Sequence, residues 1–232
     1  MRIKLGSLAA TFGMLACTLF LCDTAAAARP GFYIGGYLSN VSRSIDKPRS
    51  DMLALGIYND FGLVPVDAGH STIHSDDNGY GFVVGYRFLR HLAAEVEYLD
   101  LGTRRYLASD VVSLDADVFS IATRVKTRTS GLAASALGIL PLSDHWEIYG
   151  RAGLVLTNDR IDILLTDEGG GGVAGSDEGS GTSLMAGGGI SLGFASLYSI
   201  RVEFRRVFDA GDKNISGKRD VDLLSAGVLV QF

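Results

Sequence analysis

The apolar and polar positions of this chain fall into short alternating runs. The last run is the cleanest: Val221–Phe232 reads VDLLSAGVLVQF. Leu224, Ala226, Val228, Val230 and Phe232 fall on one face of a strand, with Asp222, Leu223, Ser225, Gly227, Leu229 and Gln231 interleaved. A period of two sustained over about ten residues predicts a strand lying between two different environments. The final residues of a soluble chain usually fray. An aromatic at the end of a long alternating strand points instead to a pinned terminus. Closing a barrel pins it, because the last strand then pairs with the first and no edge is left.

The same alternation predicts strands in Gly31–Val41, Gly79–Phe88, Leu92–Leu99, Thr123–Leu140, Trp146–Thr157, Thr182–Phe194 and Ser199–Phe208. One face carries Phe32, Ile34, Leu38, Phe82, Val84, Val96, Leu154, Leu184, Ile190, Val202 and Phe204. The other carries Tyr33, Gly35, Gly81, Gly85, Glu95, Glu97, Arg151, Ser183, Gly187, Arg201 and Arg205. Alternation does not set the phase of Thr123–Leu140. Within it, Leu132, Ala134, Ala136 and Gly138 share one face, opposite Ala133, Ser135, Leu137 and Ile139. Pro141 marks a turn, since proline cannot donate to a ladder.

Eight strands result, and their connections alternate long and short. Ser42–Asn78, Asp100–Asp117, Asn158–Gly181 and Asp209–Asp220 are long and polar; Leu89–His91, Pro141–His145 and Ala195–Tyr198 are short. Up-and-down pairing therefore collects every long connection at one end, an asymmetry typical of transmembrane barrels. The third long connection contains GGGGVAGSDEGSG and reads as a flexible loop. Met52–Val66, inside the first, carries several apolar residues and suits a short helix or hairpin. It reads either as an adhesive surface or as a lid folded over the barrel mouth.

The fold class expected is all-β, an eight-stranded antiparallel up-and-down transmembrane barrel. Alternation alone does not say which face is outside, since a soluble barrel turns its apolar face inward. The second face decides. It is small and glycine-rich around a few long charged side chains, and of five lysines only Lys126 sits in a predicted strand. A solvated face would carry more Lys, Thr and Glu. An eight-stranded barrel is just wide enough inside for its side chains, so this face suits a lumen.

Composition adds the compartment. Met1–Ala28 has Arg2 and Lys4, an apolar stretch Leu5–Leu21, and small residues Ala25–Ala28, which together read as a secretory signal peptide cleaved near Ala27 or Ala28. Met14-Leu15-Ala16 before Cys17 is a weaker lipoprotein match. Both cysteines, Cys17 and Cys22, lie in this leader, so residues 29–232 hold none and form no disulfide. Removing Arg2, Lys4 and Asp23 takes the formal net charge from −5 to −6. That acidic balance argues against nucleic acid. Nothing after the leader is apolar enough for a membrane helix. The domains expected are the leader, 1–28, and one barrel, 29–232, with four long external loops.

The segments GFYIGGYL, GYGFVVGYRF, LAAEVEYLDLG, WEIYGRAGL, IRVEFRRVFD and DLLSAGVLVQF resemble the OmpA-like and opacity-type small outer-membrane β-barrels, and the resemblance covers essentially all of residues 29–232. It implies an outer-membrane location with outer-membrane lipid as surroundings, and a monomer. It also implies an assembly signal at Phe232, Val230 and Val228 that is read by the outer-membrane assembly machinery. The peptidoglycan-binding domain that follows some family barrels is not expected after Phe232.

Candidate chemistry is sparse. Arg87, Arg151, Arg201 and Arg205 share the inner face with Glu95, Glu97, Glu147 and Glu203, four cations against four anions. They form either a polar gate or a lumen plug. The plug is preferred, because desolvated charges inside a closed barrel must pair. Arg87 and Glu95 flank one tight turn with matching parity, so they are expected to meet. His70 and His74, followed by Asp76 and Asp77, would present a metal site only if their loop were helical; a solvated loop is the simpler reading. His91 and His145 fall in turns at the other end. The pairs His70-Ser71 and His74-Ser75 fall short of the Ser-His-acid constellation of a hydrolase. No enzyme activity, cofactor or metal is expected. The role expected is structural or surface-interacting, with ligands taken by loops 42–78 and 158–181. A small low-conductance pore is the alternative, and a lipid-modifying enzyme comes after it.

Overall fold

A computed structural model describes residues 30–43, 51, 55–56, 58–59, 62–75, 78–114, 117–194, 197–211 and 218–232. The expected leader, 1–28, and its cleavage point lie outside the described residues. Nine strands are present among those described: β1 (Gly31–Arg43), β2 (Val64–Ser75), β3 (Asn78–Leu89), β4 (Leu92–Leu114), β5 (Asp117–Pro141), β6 (Trp146–Asp167), β7 (Gly172–Gly193), β8 (Tyr198–Ala210) and β9 (Arg219–Gln231). Eight of them close a ring in the order β1-β3-β4-β5-β6-β7-β8-β9, each pair antiparallel, with β9 returning to β1. The last strand pairs with the first from Tyr33↔Gln231 to Arg43↔Val221. The Phe232 N–H adds a bond to the Phe32 carbonyl at 2.9 Å.

The ring is staggered. A row of partners starting at Tyr33 runs through Gly85, Glu95, Ser135, Gly153, Met185, Val207 and Val221. It returns to β1 at Arg43, ten residues beyond its start. A stagger of this kind tilts strands by about 40° to the barrel axis. Inward and outward faces follow the sequence period. Phe82, Val84, Leu132 and Leu184 point outward with 63, 56, 51 and 63% exposure, while Tyr37, Val83, Leu137 and Met185 are buried inside. Aromatics border this outward band. Phe32, Tyr86 and Phe88 pack edge to face at the end nearest the termini, at 4.6 and 4.9 Å between centroids; Tyr80 and Tyr98 stand at the other end. Apolar bands with aromatic rims are how barrels meet lipid. Among the described residues no helix is long and apolar enough to cross a membrane.

The long connections differ from expectation. Asp100–Asp117 is not a polar loop: β4 continues to Leu114 and β5 starts at Asp117. Asn158–Gly181 is not a flexible loop either. β6 and β7 pair from Thr157↔Gly181 to Thr166↔Gly172, and the turn is only 168–171. Glycine has little strand preference of its own, and residues 172–178 are exposed on both faces, so the backbone ladder to β6 holds this half of the hairpin and pairing context overrides propensity. Of the four long loops expected, two are therefore strand extensions. Within 42–78, residues 51, 55–56 and 58–59 are helical, and β2 occupies Val64–Ser75.

β4 changes neighbour partway along. Its lower part pairs with β3 as far as Tyr80↔Asp100, and beyond Arg104 it pairs with β2. A one-residue bulge between Asp100 and Thr103 marks the exchange. Gly102 lies there at φ 87°, where a side chain would be strained, and its N–H bonds the Asp100 Oδ1 at 2.7 Å. The bulge moves the inward phase of β4 from odd to even, so Tyr106, Ala108 and Val112 become buried. On β5 inward residues keep odd numbers from Ile121 to Ile139, which fixes the open phase of 123–140. Asp222 shares the outward parity of Leu224 rather than that of Leu223. There it accepts bonds from Arg206 Nε and Nη2 at 2.5 and 2.7 Å.

Candidate functional site

Strand parity delivers all eight predicted charges to the lumen, in two groups. At the end nearest the termini, Arg87 on β3 forms a two-pronged pair with Glu147 on β6, Nη2–Oε1 2.9 Å and Nη1–Oε2 3.1 Å. Arg87 Nη2 also donates to the Arg90 carbonyl. Arg87 does not meet Glu95 as expected. The register places Glu95 opposite Gly85, and Arg87 opposite Ala93. Arg87 therefore sits at the barrel mouth, where its partner lies across the lumen.

The other six charges form one network deeper inside. Glu95 takes Arg201 Nη1 at 2.5 Å and Arg151 Nη2 at 3.0 Å. Glu203 takes Arg151 Nη1 at 2.8 Å and Arg205 Nε at 2.5 Å. Glu97 takes Arg205 Nη1 at 2.5 Å and Arg151 Nη1 at 3.3 Å. Arg151 donates further to Ser135, and Arg205 to Ser225. Three cations face three anions here, so the network is neutral as a unit, which buried charge requires.

Three tyrosines complete it. Tyr33 donates to Glu95 at 2.7 Å and Tyr149 to Glu203 at 2.6 Å, while Tyr37 accepts from Arg201 at 3.0 Å. The Arg201 guanidinium stands 4.6 Å from the Tyr149 ring centroid and 5.7 Å from that of Tyr33, in cation–π range. Glycine makes room for these rings. A Cβ on Gly85 would fall 2.6 Å from the Tyr33 hydroxyl, and one on Gly227 would fall 2.5 Å from the Tyr37 ring. The inner-face parity of the tyrosines marks them in the sequence, although their hydroxyls carry no charge to single them out.

Above the charges lies an apolar layer that sequence reasoning missed. Val41, Leu99, Leu101, Val155, Met185, Val207 and Leu223 pack into one buried cluster across the lumen. Its signal is a run of apolar residues at inner-face positions near the outer strand ends. At the opposite mouth, a cavity of about 60 Å³ lined by Tyr33, Arg87, Ile139, His145, Glu147 and Arg201 has room for a few waters.

Outside the membrane band, β2, β4, β5, β6 and β7 continue as one five-stranded sheet. Its inner face carries an apolar cluster. Val112, Ile121 and Leu165 are buried there with Tyr58 and Leu63 from the first connection. Tyr58 donates to Asp110 Oδ2 at 2.6 Å and lies 2.7 Å from the Thr123 hydroxyl. Tyr106 donates to Asp51 Oδ1 at 2.9 Å. Burial and the neighbouring carboxylates, Asp110 and Asp51, raise both tyrosine pKa values above the ordinary range. Of the two readings of Met52–Val66, the packing of Tyr58 and Leu63 favours the folded-over lid; Leu55, Val64 and Val66 remain exposed.

The histidines do not converge. His70 and His74 lie on one exposed face of the strand β2, not on a helix, so their backbone positions are about 13 Å apart. No group of three metal-binding side chains occurs among the described residues, and Asp76 and Asp77 lie outside them. Ser71 alternates to the face opposite His70. Val228, Val230 and Phe232 point outward on the terminal strand, and Phe232 is 72% exposed.

Three solved structures illustrate the likeness. Neisserial surface protein A is 17% identical with TM-score 0.49, covering 87% of this chain and 97% of that one. Ail, the attachment invasion locus protein of Yersinia pestis, is 16% identical with TM-score 0.42, again covering 87% and 97%. OprG from Pseudomonas aeruginosa is 13% identical with TM-score 0.43, covering 90% and 99%. No curated protein matches the chain by sequence. The profile of the OmpA-like transmembrane domain matches residues 44–232. That match spans most of the closed eight-stranded ring and its lipid-facing band, and the chain belongs to the OmpA-like transmembrane domain family as an integral β-barrel of the cell outer membrane.

Proposed function

We propose that this barrel is a closed membrane anchor that presents a surface-interaction sheet outside the cell. One observation carries the reading. Strands β4, β5, β6 and β7 are 23, 25, 22 and 22 residues long, about twice the 9–11 residues that a spanning strand needs. The surplus builds the external sheet, whose β6–β7 hairpin and β2 edge correspond to the predicted ligand segments 158–181 and 42–78. The lumen below acts as a plug: paired charges and an apolar layer fill the cross-section. The outward Val228, Val230 and Phe232 serve as the assembly signal.

Two measurements test this. Planar-bilayer recording of the refolded chain should give no steady conductance; steady conductance returns the pore reading. Cells carrying a barrel whose β6–β7 hairpin is cut back to Asp159 and Gly179 should keep a heat-modifiable barrel but lose retention on cell monolayers. Undiminished retention removes the surface role from this hairpin.

A further inference from the structure

Every strand of the ring except β3 sends an apolar side chain into one level of the lumen. Val41 comes from β1, Leu99 and Leu101 from β4, Ala133 from β5, Val155 from β6, Met185 from β7, Val207 from β8, and Val221 and Leu223 from β9; all pack as one buried cluster. β3 closes the ring with Gly79, where a Cβ would stand 3.0 Å from Val41 Cγ2. The bordering hydroxyls are already engaged: those of Ser39 and Ser225 bond each other at 2.8 Å, and Ser183 donates to the Asp209 carbonyl at 3.0 Å. The cluster itself offers no side-chain oxygen or nitrogen to a water or an ion.

The charged layer lies directly beneath, on the same strands. Glu95 and Glu97 precede Leu99 on β4, Arg151 precedes Val155 on β6, and Arg205 precedes Val207 on β8. Each of its carboxylates is shared between two arginines, and Arg151 touches all three. Some of its atoms keep spare capacity: Glu97 Oε1, Arg151 Nε and Arg201 Nε have no hydrogen-bond partner among the described residues. A layer with shared partners and spare donors and acceptors exchanges contacts with a passing ion, so that its groups replace hydration one contact at a time. The apolar ring has nothing to exchange. A water or ion entering it sheds its hydration without return, and hydrophobic constrictions gate by that cost.

We propose that the apolar ring, and not the salt-bridge network, seals the lumen against ions. This rests on the plug reading above and locates the seal within it. The task left to the network is cohesion, since its ion pairs tie β4, β6 and β8 together across the lumen. Ions entering from the end nearest the termini reach the charges and stop at Leu99, Val155, Met185 and Val207.

Potassium efflux from vesicles holding the refolded full barrel tests the seal. Val41→Thr/Val155→Thr/Val207→Thr/Val221→Thr keeps the volume of the ring but sets four hydroxyls in it, and should raise efflux over wild type roughly tenfold or more. Glu97→Gln/Arg205→Gln removes one anion and one cation, keeps a polar group in both places, and should leave efflux within about twofold of wild type. A tight threonine variant overturns the ring as the seal, and so does a glutamine variant that leaks as much as the threonine one. Steady efflux through wild type overturns the plug reading, and the seal with it. Silver ions give a second measurement that does not depend on the threonine variant folding. Residues 29–232 hold no cysteine, so Ser225→Cys beneath the ring and Ser183→Cys beyond it each report one level. Silver added at the termini side of oriented vesicles should react with Ser225→Cys and spare Ser183→Cys. An unreactive Ser225→Cys places the seal at the charges, and reaction at both levels leaves no seal between them; either result overturns the ring.

Discussion

Strands β5 and β6 each run through two regions with opposite chemistry and unbroken parity. In the membrane band, β6 turns Leu154 and Leu156 outward and Arg151 inward. Beyond it, the same strand turns Arg160 and Asp162 outward and buries Ile161 and Leu165. On β5 the outward face passes from Leu132 to Arg128, Lys126 and Arg124, while Ile121 is buried inside. The backbone geometry is the same in both regions. What changes is the medium outside, lipid below and water above, and each face takes the residues that its medium admits. The lower region is an inside-out barrel with a polar core; the upper region is an ordinary sheet with an apolar core and a lid.

The sharpest way to break this comparison is to remove one charge from the lower core. Glu95→Ala leaves Arg201 and Arg151 without a carboxylate that both contact, and it deprives Tyr33 of its acceptor. Losing one partner of a buried pair costs about 3–5 kcal/mol. The external Glu178→Ala breaks a solvated pair with Arg160, which is worth about 0–1 kcal/mol. Urea unfolding of both variants in bilayers should separate them clearly. Equal losses would mean that the lumen is wet enough to behave as a surface.

A second test uses one substitution on the outward face at two heights. Val84→Arg sets a charge in hydrocarbon, at a cost of about 2–4 kcal/mol near the midplane. Val118→Arg, at the outer end of β5 with 61% exposure, should shift stability by no more than about 0.5 kcal/mol. Similar penalties at both positions would place the membrane boundary above the aromatic rim of Tyr80 and Tyr98.

This inversion also explains what could be read from the sequence. Inside the band, every strand alternates against lipid, so Phe82, Val84, Glu95 and Arg201 reveal their faces directly. All eight predicted charges reach the lumen for that reason. Their partners were less legible. In a staggered ring, neighbours across the lumen come from strands far apart in sequence, as in Arg87–Glu147, and a turn-flanking pair such as Arg87 and Glu95 is drawn apart by register. Above the band the signal reverses. Polar residues point outward there, so Asn158–Gly181 resembles a loop, and the glycine-rich half of its hairpin has no strand preference of its own. The bulge at Gly102 then shifts the phase of β4, and no periodicity crosses it. β2 was hidden for a related reason, since His70 and His74 are exposed on a two-sided polar strand.

The smallest effect is expected at the lid, where the upper core meets the first connection. Tyr58 is fully buried, and its single hydroxyl proton goes to Asp110 while Thr123 bonds its oxygen. Tyr58→Phe keeps the ring and its packing but leaves a carboxylate without its donor, a loss of about 1–2 kcal/mol. That loss is local: it should speed hydrogen exchange in Leu63 and the start of β2 without moving the unfolding midpoint of the ring. The pH dependence has a definite sign. Burial and Asp110 raise the Tyr58 pKa in the folded state, so its contribution is fully present below the ordinary tyrosine value of about 10 and is lost as pH rises through the higher folded value. Wild-type lid protection should therefore fall only at pH above the ordinary tyrosine range, with Tyr106, raised by burial and its bond to Asp51, contributing in the same direction. The Tyr58→Phe lid should start weaker and show a shallower fall. A lid whose exchange is unaltered by the substitution at every pH would mean that Leu63 packing alone holds it down.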